Sequence, residues 1–326
     1  MARPDLLLVA KPWKGGLADY VLATMRTLFG DARVEYIATY PRAPREWLRY
    51  RRDRSAWRRA LVERINATPC QAALFINALA EYEGLDERRA NVLWLTDAPS
   101  ISAALAARFT RIFLSDPGYA GELRGVAGTS RYAGELPFAF APAMHRPEAG
   151  SGPRRDICFI GNRDRARDPF IAALLASPYR STVVGNYFMR HPLYWRHPGS
   201  VRPAIPNRAM GRMYARHHLA LNLHAGVVRM GTNMRTFECA GYGIPQLVQY
   251  RPGLERHFEP DAEIVVFYTL DEMLDRIGRM RADPGQAARM ADRARRRAQA
   301  EHTYAHRVEQ ALAGLLPVSA FMREDA

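Results

Sequence analysis

The sequence predicts an α/β chain built from two Rossmann-like domains facing a central cleft. Three observations carry this expectation. Short apolar runs alternate with helix-length amphipathic segments along the whole chain, the pattern of parallel strands covered on both faces by helices. The alternation breaks once, at 139–155 (AFAPAMHRPEAGSGPRR), where proline, glycine and small residues replace periodicity, and then restarts. A length of 326 residues suits two such domains better than a single core. The expected division is therefore 1–145 and 146–326, with the closing helix of the second domain packing back toward the first.

In the first half, strands are expected at 5–10, 33–40, 72–77, 91–97 and 111–116, with helices at 17–29 and 100–109. In the second half, strands are expected at 156–162, 182–185, 219–224, 245–249 and 264–268. Pro169 suits the first turn of a helix running to 177, and a further helix occupies 206–217. Thr269 and Glu272 form a capping-box pattern that opens another helix, and 284–301 and 303–316 complete the chain.

Composition narrows the function. The hydrophobic fraction of 48% supports a large core, and no run of about 18 apolar residues predicts a transmembrane helix. The N-terminal apolar stretch reads as a first strand and lacks the parts of a signal peptide. Three widely spaced cysteines, Cys70, Cys158 and Cys239, read as buried free thiols in a reducing compartment. The expected location is the cytoplasm or the inner face of a membrane. The net charge is +14 and no basic tail explains it: residues 1–150 carry 21 basic against 16 acidic groups, and 151–326 carry 26 against 17. Such a field favours anionic partners.

Ligands of open α/β sheets bind in strand-to-helix loops at the carboxyl ends of the strands. One such loop is KPWKGGLADY (11–20), where Gly15 and Gly16 allow close backbone approach and Lys11 and Lys14 add charge. The same residues also suit a plain tight turn. A second is GTNMRTFECAGYGIP (231–245). Here Asn233 can cap a short helix carrying Arg235, Thr236 and Glu238, a set able to meet phosphates and sugar hydroxyls. Glu238 is equally a residue type found as an ordinary helix charge.

The 231–245 stretch resembles the C-terminal domain of group-1 glycosyltransferases with the GT-B fold, and more narrowly the CgeB-like family, whose pattern is N-x-R-x-F-E-x-x-A-x-G. The resemblance extends to FEPDAEIVVFYTLDEMLDRI (258–277), AEHTYAHRV (300–308), DICFIGNRDRARDPF (156–170), LWLTDAP (93–99) and ELPFAFAPAMHRP (135–147). It implies a metal-independent, nucleotide-sugar-dependent glycosyltransferase with no cofactor, the nucleotide-sugar being a substrate. It further implies that Glu238 binds the donor ribose, and that Arg235 with Arg163 or Arg165 neutralises the diphosphate. Gly161 and Asn162 then admit the pyrophosphate, and Gly15 and Gly16 face the sugar phosphate. Asn233 and Thr236 complete the implied donor set. In one respect the chain departs from the pattern: retaining members often carry two glutamates separated by seven residues, and the first falls here at Met230. An inverting enzyme needs a general base, for which Asp97 is the first candidate and Asp19 the second. Either could instead cap a helix.

Residues 44–66 place Trp47, Tyr50, Trp57, Leu61 and Ile65 at helical spacing, and 42–64 hold nine arginines against three acids. An anionic membrane face and a plain domain helix both fit that pattern. His217, His218 and His224 lack the supporting spacing of a metal site. A basic nucleic-acid-binding or nucleic-acid-modifying protein is the alternative function, although no helix-turn-helix, zinc or RNP motif accompanies the charge.

Overall fold

The computed structural model describes residues 5–12, 15–77, 82, 84–128, 130–150, 153–186, 192–317 and 321. The chain forms two compact units, one from Met1–Pro137 with Tyr304–Ala326, the other from Phe138–Thr303.

The first unit runs β1 (Leu6–Ala10), α1 (Leu17–Phe29), β2 (Val34–Ala38), α2 (Pro44–Arg52), α3 (Arg54–Ala67), β3 (Ala72–Ile76), β4 (Ala90–Leu95), α4 (Ala103–Ala106), β5 (Arg111–Leu114), α5 (Ala120–Ala127) and β6 (Tyr132–Glu135). Its sheet has the order β2-β1-β3-β4-β5-β6 and every pair is parallel. β1 and β3 are buried throughout, as strands covered on both faces must be. Leu7, Val9, Phe75, Leu93 and Phe109 centre the core.

The second unit runs β7 (Arg155–Ile160), α6 (Asp168–Ala176), β8 (Ser181–Val184), α7 (Pro192–Arg196), β9 (Val201–Arg202), α8 (Met210–Tyr214), β10 (His217–Asn222), α9 (Met234–Tyr242), β11 (Gln246–Gln249), β12 (Val265–Phe267), α10 (Leu270–Ala282) and α11 (Pro284–Glu301). The sheet order is β12-β11-β10-β7-β8-β9, again all parallel. α9 ends where Gly243 takes the left-handed conformation (φ 68°) and its N–H reaches the carbonyls of Cys239 and Ala240, a role suited to glycine. Two Rossmann-like domains are thus present.

The division differs from the expected one at both ends. It falls at Pro137/Phe138, because 139–150 is packed irregular backbone rather than a linker. Phe138 and Phe140 pack with Phe237, Val248 and Phe258, and a Cβ on Gly150 would lie 2.1 Å from the Ala215 carbonyl oxygen. At the other end, α12 (Tyr304–Leu312) belongs to the first unit. Tyr304 is fully buried, 5.8 Å from the Tyr20 ring and 6.4 Å from Trp94, and Arg307 Nε donates to the Pro137 carbonyl at 2.9 Å.

The basic aromatic segment is two helices, broken at Asp53, whose carboxylate accepts from the Ala56 N–H and caps α3. α3 buries Leu61, Val62 and Ile65, whereas α2 buries none of its residues. Among the described residues no helix is long and apolar enough to cross a membrane.

Candidate functional site

In the second unit the chain moves from β7 outward through β8 to β9, then crosses back to lay β10 on the other side of β7. The switch point therefore lies between the carboxyl ends of β7 and β10, where open α/β sheets bind ligands. Two connections border it, 161–167 after β7 and 223–233 after β10.

The start of α9 is tied to this crevice by side-chain amides. Asn233 caps the helix, its oxygen accepting from the Thr236 N–H at 3.2 Å. Its Nδ2 donates to Asn222 Oδ1 at 2.7 Å and to the Leu223 carbonyl at 3.1 Å. Asn222 Nδ2 in turn donates to Thr236 Oγ1 at 2.9 Å. Thr236 has no exposed surface, so its hydroxyl serves this internal network rather than facing the crevice.

Arg235 and Glu238, one turn apart, form an ion pair. Glu238 has no exposed surface, and its carboxylate lies behind Arg235 instead of facing solvent, as a ribose ligand would. Arg235 Nε donates to the Ile160 carbonyl at the end of β7 (3.1 Å). Burial alone would lower the Arg235 pKa, but the neighbouring Glu238 carboxylate offsets this and holds the cation above its ordinary range. The side chain is 21% exposed, so a fixed cation reaches the surface at the end of β7.

His145 completes the cluster, its Nε2 lying 3.5 Å from Glu238 Oε1. Burial lowers the His145 pKa, with Glu238 opposing and Arg235 adding. Nδ1 accepts from the Ala141 N–H at 2.9 Å, so in the neutral imidazole the proton sits on Nε2 and points at Glu238. Tyr242 packs edge-on against the His145 ring at 5.2 Å.

On the β7 side, a Cβ on Gly161 would lie 2.8 Å from the Phe159 ring, and Asn162 and Arg165 are exposed. Arg163 pairs with Asp168 at 2.6 Å. Arg167, which the motif reading passed over, bridges the two connections: Nε donates to the Leu223 carbonyl (3.1 Å) and Nη1 to the Asn162 carbonyl (2.6 Å). Burial lowers its pKa. Together with the N–H groups at the start of α9, these cations form an arrangement suited to an anionic ligand such as a diphosphate.

The first unit has its own switch point, between β1 and β3. Gly15 (φ 67°) donates its N–H to Asp19 Oδ2 at 2.6 Å, so Asp19 holds the glycine turn together. Gly16 precedes α1 as its cap residue. Lys14 lies outside the described residues. Asp97 is exposed and accepts from Asn77 Nδ2 at 2.9 Å. It caps no helix; Ser102 caps α4. Asn77 adopts φ 59° at the end of β3, a conformation asparagine tolerates better than most residues.

His145 and Arg167 escaped sequence reasoning for different reasons. His145 stands far from Glu238 in the chain, and only its place in the 135–147 motif hinted at it. Arg167 is the third of alternating arginines at 163, 165 and 167, and residue type alone does not say which of them turns inward. Of the histidines, His217 bonds Met213 and Thr182, each at 2.8 Å, and burial pushes its pKa down to about 4.

The two sheets and their crevices define a protein of the GT-B class. The chain is similar in structure to HepE of Anabaena in complex with UDP-glucose (TM-score 0.70, 11% identity, 96% of this chain and 99% of that chain). It is also similar to a glycosyltransferase of Rickettsia africae (0.67, 8%, 95% and 97%) and to sucrose-phosphate synthase of Thermosynechococcus elongatus (0.59, 12%, 94% and 97%). At these identities the likeness establishes the fold. No curated protein matches the chain. In sequence, residues 165–313 match the family described as glycosyl transferase-like. That stretch holds Arg235, Glu238 and the whole connection after β10. Residues 165–313 thus form a glycosyl transferase-like domain on this fold.

Proposed function

We propose that the second unit binds a nucleotide-sugar at the β7/β10 crevice and that the chain transfers its sugar to an acceptor, with CgeB-like glycosyltransferases as its relatives. The observation that carries this reading is Arg235, fixed by the Ile160 carbonyl and Glu238. A diphosphate leaving group develops negative charge as the glycosidic bond to it breaks, and fixed cations stabilise that charge without reorganising. Arg235 supplies this charge, with Arg165 and Arg167 at the rim; Glu238 and His145 hold Arg235 in place. The solved complex of HepE with UDP-glucose makes uridine diphosphate the first nucleotide to try. Asp97, exposed beyond β4, is the candidate general base. Asp19 is the weaker one, because the Gly15 N–H already occupies its carboxylate.

A thermal-shift panel with UDP, GDP, dTDP, ADP, CDP and CMP tests the donor reading. A ligand at about 100 times its Kd adds about 2.7 kcal/mol, a shift of several degrees. One nucleotide should stabilise the wild type and stabilise Arg235→Gln much less. No shift with any of them, or equal shifts in both proteins, sinks the donor site.

A second reading concerns an anionic membrane surface. Trp47 and Leu48 are 40% and 68% exposed on the arginine-rich α2, the composition of a helix that lies on anionic lipid. Vesicles containing phosphatidylglycerol should co-sediment the wild type more than a Trp47→Ser/Leu48→Ser variant. Equal recovery, or salt-sensitive binding to duplex DNA in place of vesicles, argues against it.

A further inference from the structure

The connection between β10 and α9 carries two buried side chains with unmet hydrogen-bonding capacity. His224 has no exposed surface, and neither ring nitrogen has a hydrogen-bond partner. Thr232 is 3% exposed, and its hydroxyl also has no partner. Burying a polar group in this way costs about 1–3 kcal/mol each. Leucine and valine, close in volume, would avoid that cost, so packing alone does not account for a histidine and a threonine here. Both residues flank the segment 225–230, which lies outside any helix or strand. That segment borders the switch point, with Arg167 bonded to the carbonyl of Leu223 and Arg251 bonded to the carbonyl of Val228 (3.1 Å).

The chemistry of the two groups limits what they can bind. Burial, reinforced by the charges of Arg251 and Arg167, pushes the His224 pKa down to about 3, so the imidazole is neutral, with one N–H and one lone pair. The Gln249 backbone favours a proton on the ring. That leaves a nitrogen lone pair as an acceptor. Thr232 offers a hydroxyl that both donates and accepts. A ligand presenting hydroxyl groups satisfies both side chains.

We propose that His224 and Thr232 form a polar subsite that binds hydroxyl groups of the donor, reached when the 225–230 segment moves aside. The subsite rests on the donor reading above. Its test uses the full chain, wild type against His224→Leu and Thr232→Val. The measurements are the Tm without ligand and calorimetric titration with UDP, GDP, dTDP and ADP and with the glucose conjugate of each. Each variant should keep or exceed the wild-type Tm and lose at least tenfold in affinity for the nucleotide-sugar that the wild type binds. If the free nucleotide is weakened equally, the hydroxyls are those of the ribose; if only the conjugate is weakened, they belong to the transferred sugar. Unchanged affinity in both variants overturns the subsite alone. So does a Tm loss of several degrees, because the side chains would then already be satisfied in the free protein. A wild type that binds none of the probes removes the donor reading, and the subsite with it.

Discussion

Glu238 and Arg235 show how much one residue's meaning depends on what lies behind it. The pair is legible in the sequence, since N-x-R-x-F-E places two opposite charges one turn apart. Its burial is not. Glu238 is enclosed where Phe140 and the His145 ring meet α9, and both come from a distant part of the chain. Removing one member of a buried pair leaves the other charge uncompensated, at a cost of about 3–5 kcal/mol. Glu238→Gln should therefore lower stability by about 3 kcal/mol in urea unfolding; a loss under 1 kcal/mol would mean the pair is exposed in solution. Gly241 belongs to the same neighbourhood, and a Cβ there would lie 2.4 Å from the Phe140 ring. Gly241→Ala should cost about 1–3 kcal/mol through overpacking, and a neutral result would show that Phe140 gives way.

At the scale of elements, helices with strong local signals were readable and irregular segments were not. α1 and α11 occupy the expected residues. The Thr269–Glu272 capping box opens α10, and Asn233 caps α9. The expected helix at 100–109 shrinks to α4, because its start is set by the Ser102 cap. β6, β9, α5 and α7 were missed, being short or weakly patterned. The two caps make a matched comparison. Asn233→Ala should cost about 1–2 kcal/mol and also weaken donor binding, since the same side chain fixes the β10–α9 connection. Thr269→Ala should cost about 1 kcal/mol and leave donor binding unchanged. Equal effects on binding from both would detach the Asn233 network from the site.

Over the whole molecule, buried neutral imidazoles set the response to acid. His217 titrates near 4, well below the 6.5 of an exposed histidine. Between those values the unfolded chain binds the proton and the folded chain does not, so stability rises with pH. The contribution is complete above about pH 6.5 and disappears as pH falls to about 4, for about 3 kcal/mol in total; His224 extends the same trend lower. The Tm should fall steadily from pH 7 to pH 4.5, and His217→Gln should flatten that slope. An identical slope in the variant would place the acid sensitivity elsewhere. The two-domain plan was legible at this scale because alternation of strands and helices survives in the raw sequence. The boundary was misplaced because loss of periodicity marks irregular backbone, whether or not that backbone is packed.

The first unit is closed by residues from the far end of the chain. Arg307 holds the Pro137 carbonyl, Gln310 Nε2 donates to the Glu135 carbonyl and Arg111 reaches the carbonyl of Ala313. During synthesis the strands of this unit emerge first, but the contacts of α12 can form only after residue 304 has been made. The unit whose strands are made first thus receives its last helix after all of 138–303 has been made, unlike a usual amino-terminal domain, which is complete before the next one begins. A nascent chain stalled before residue 304 would lack Tyr304, leaving Tyr20 and Trp94 without the ring that packs on them.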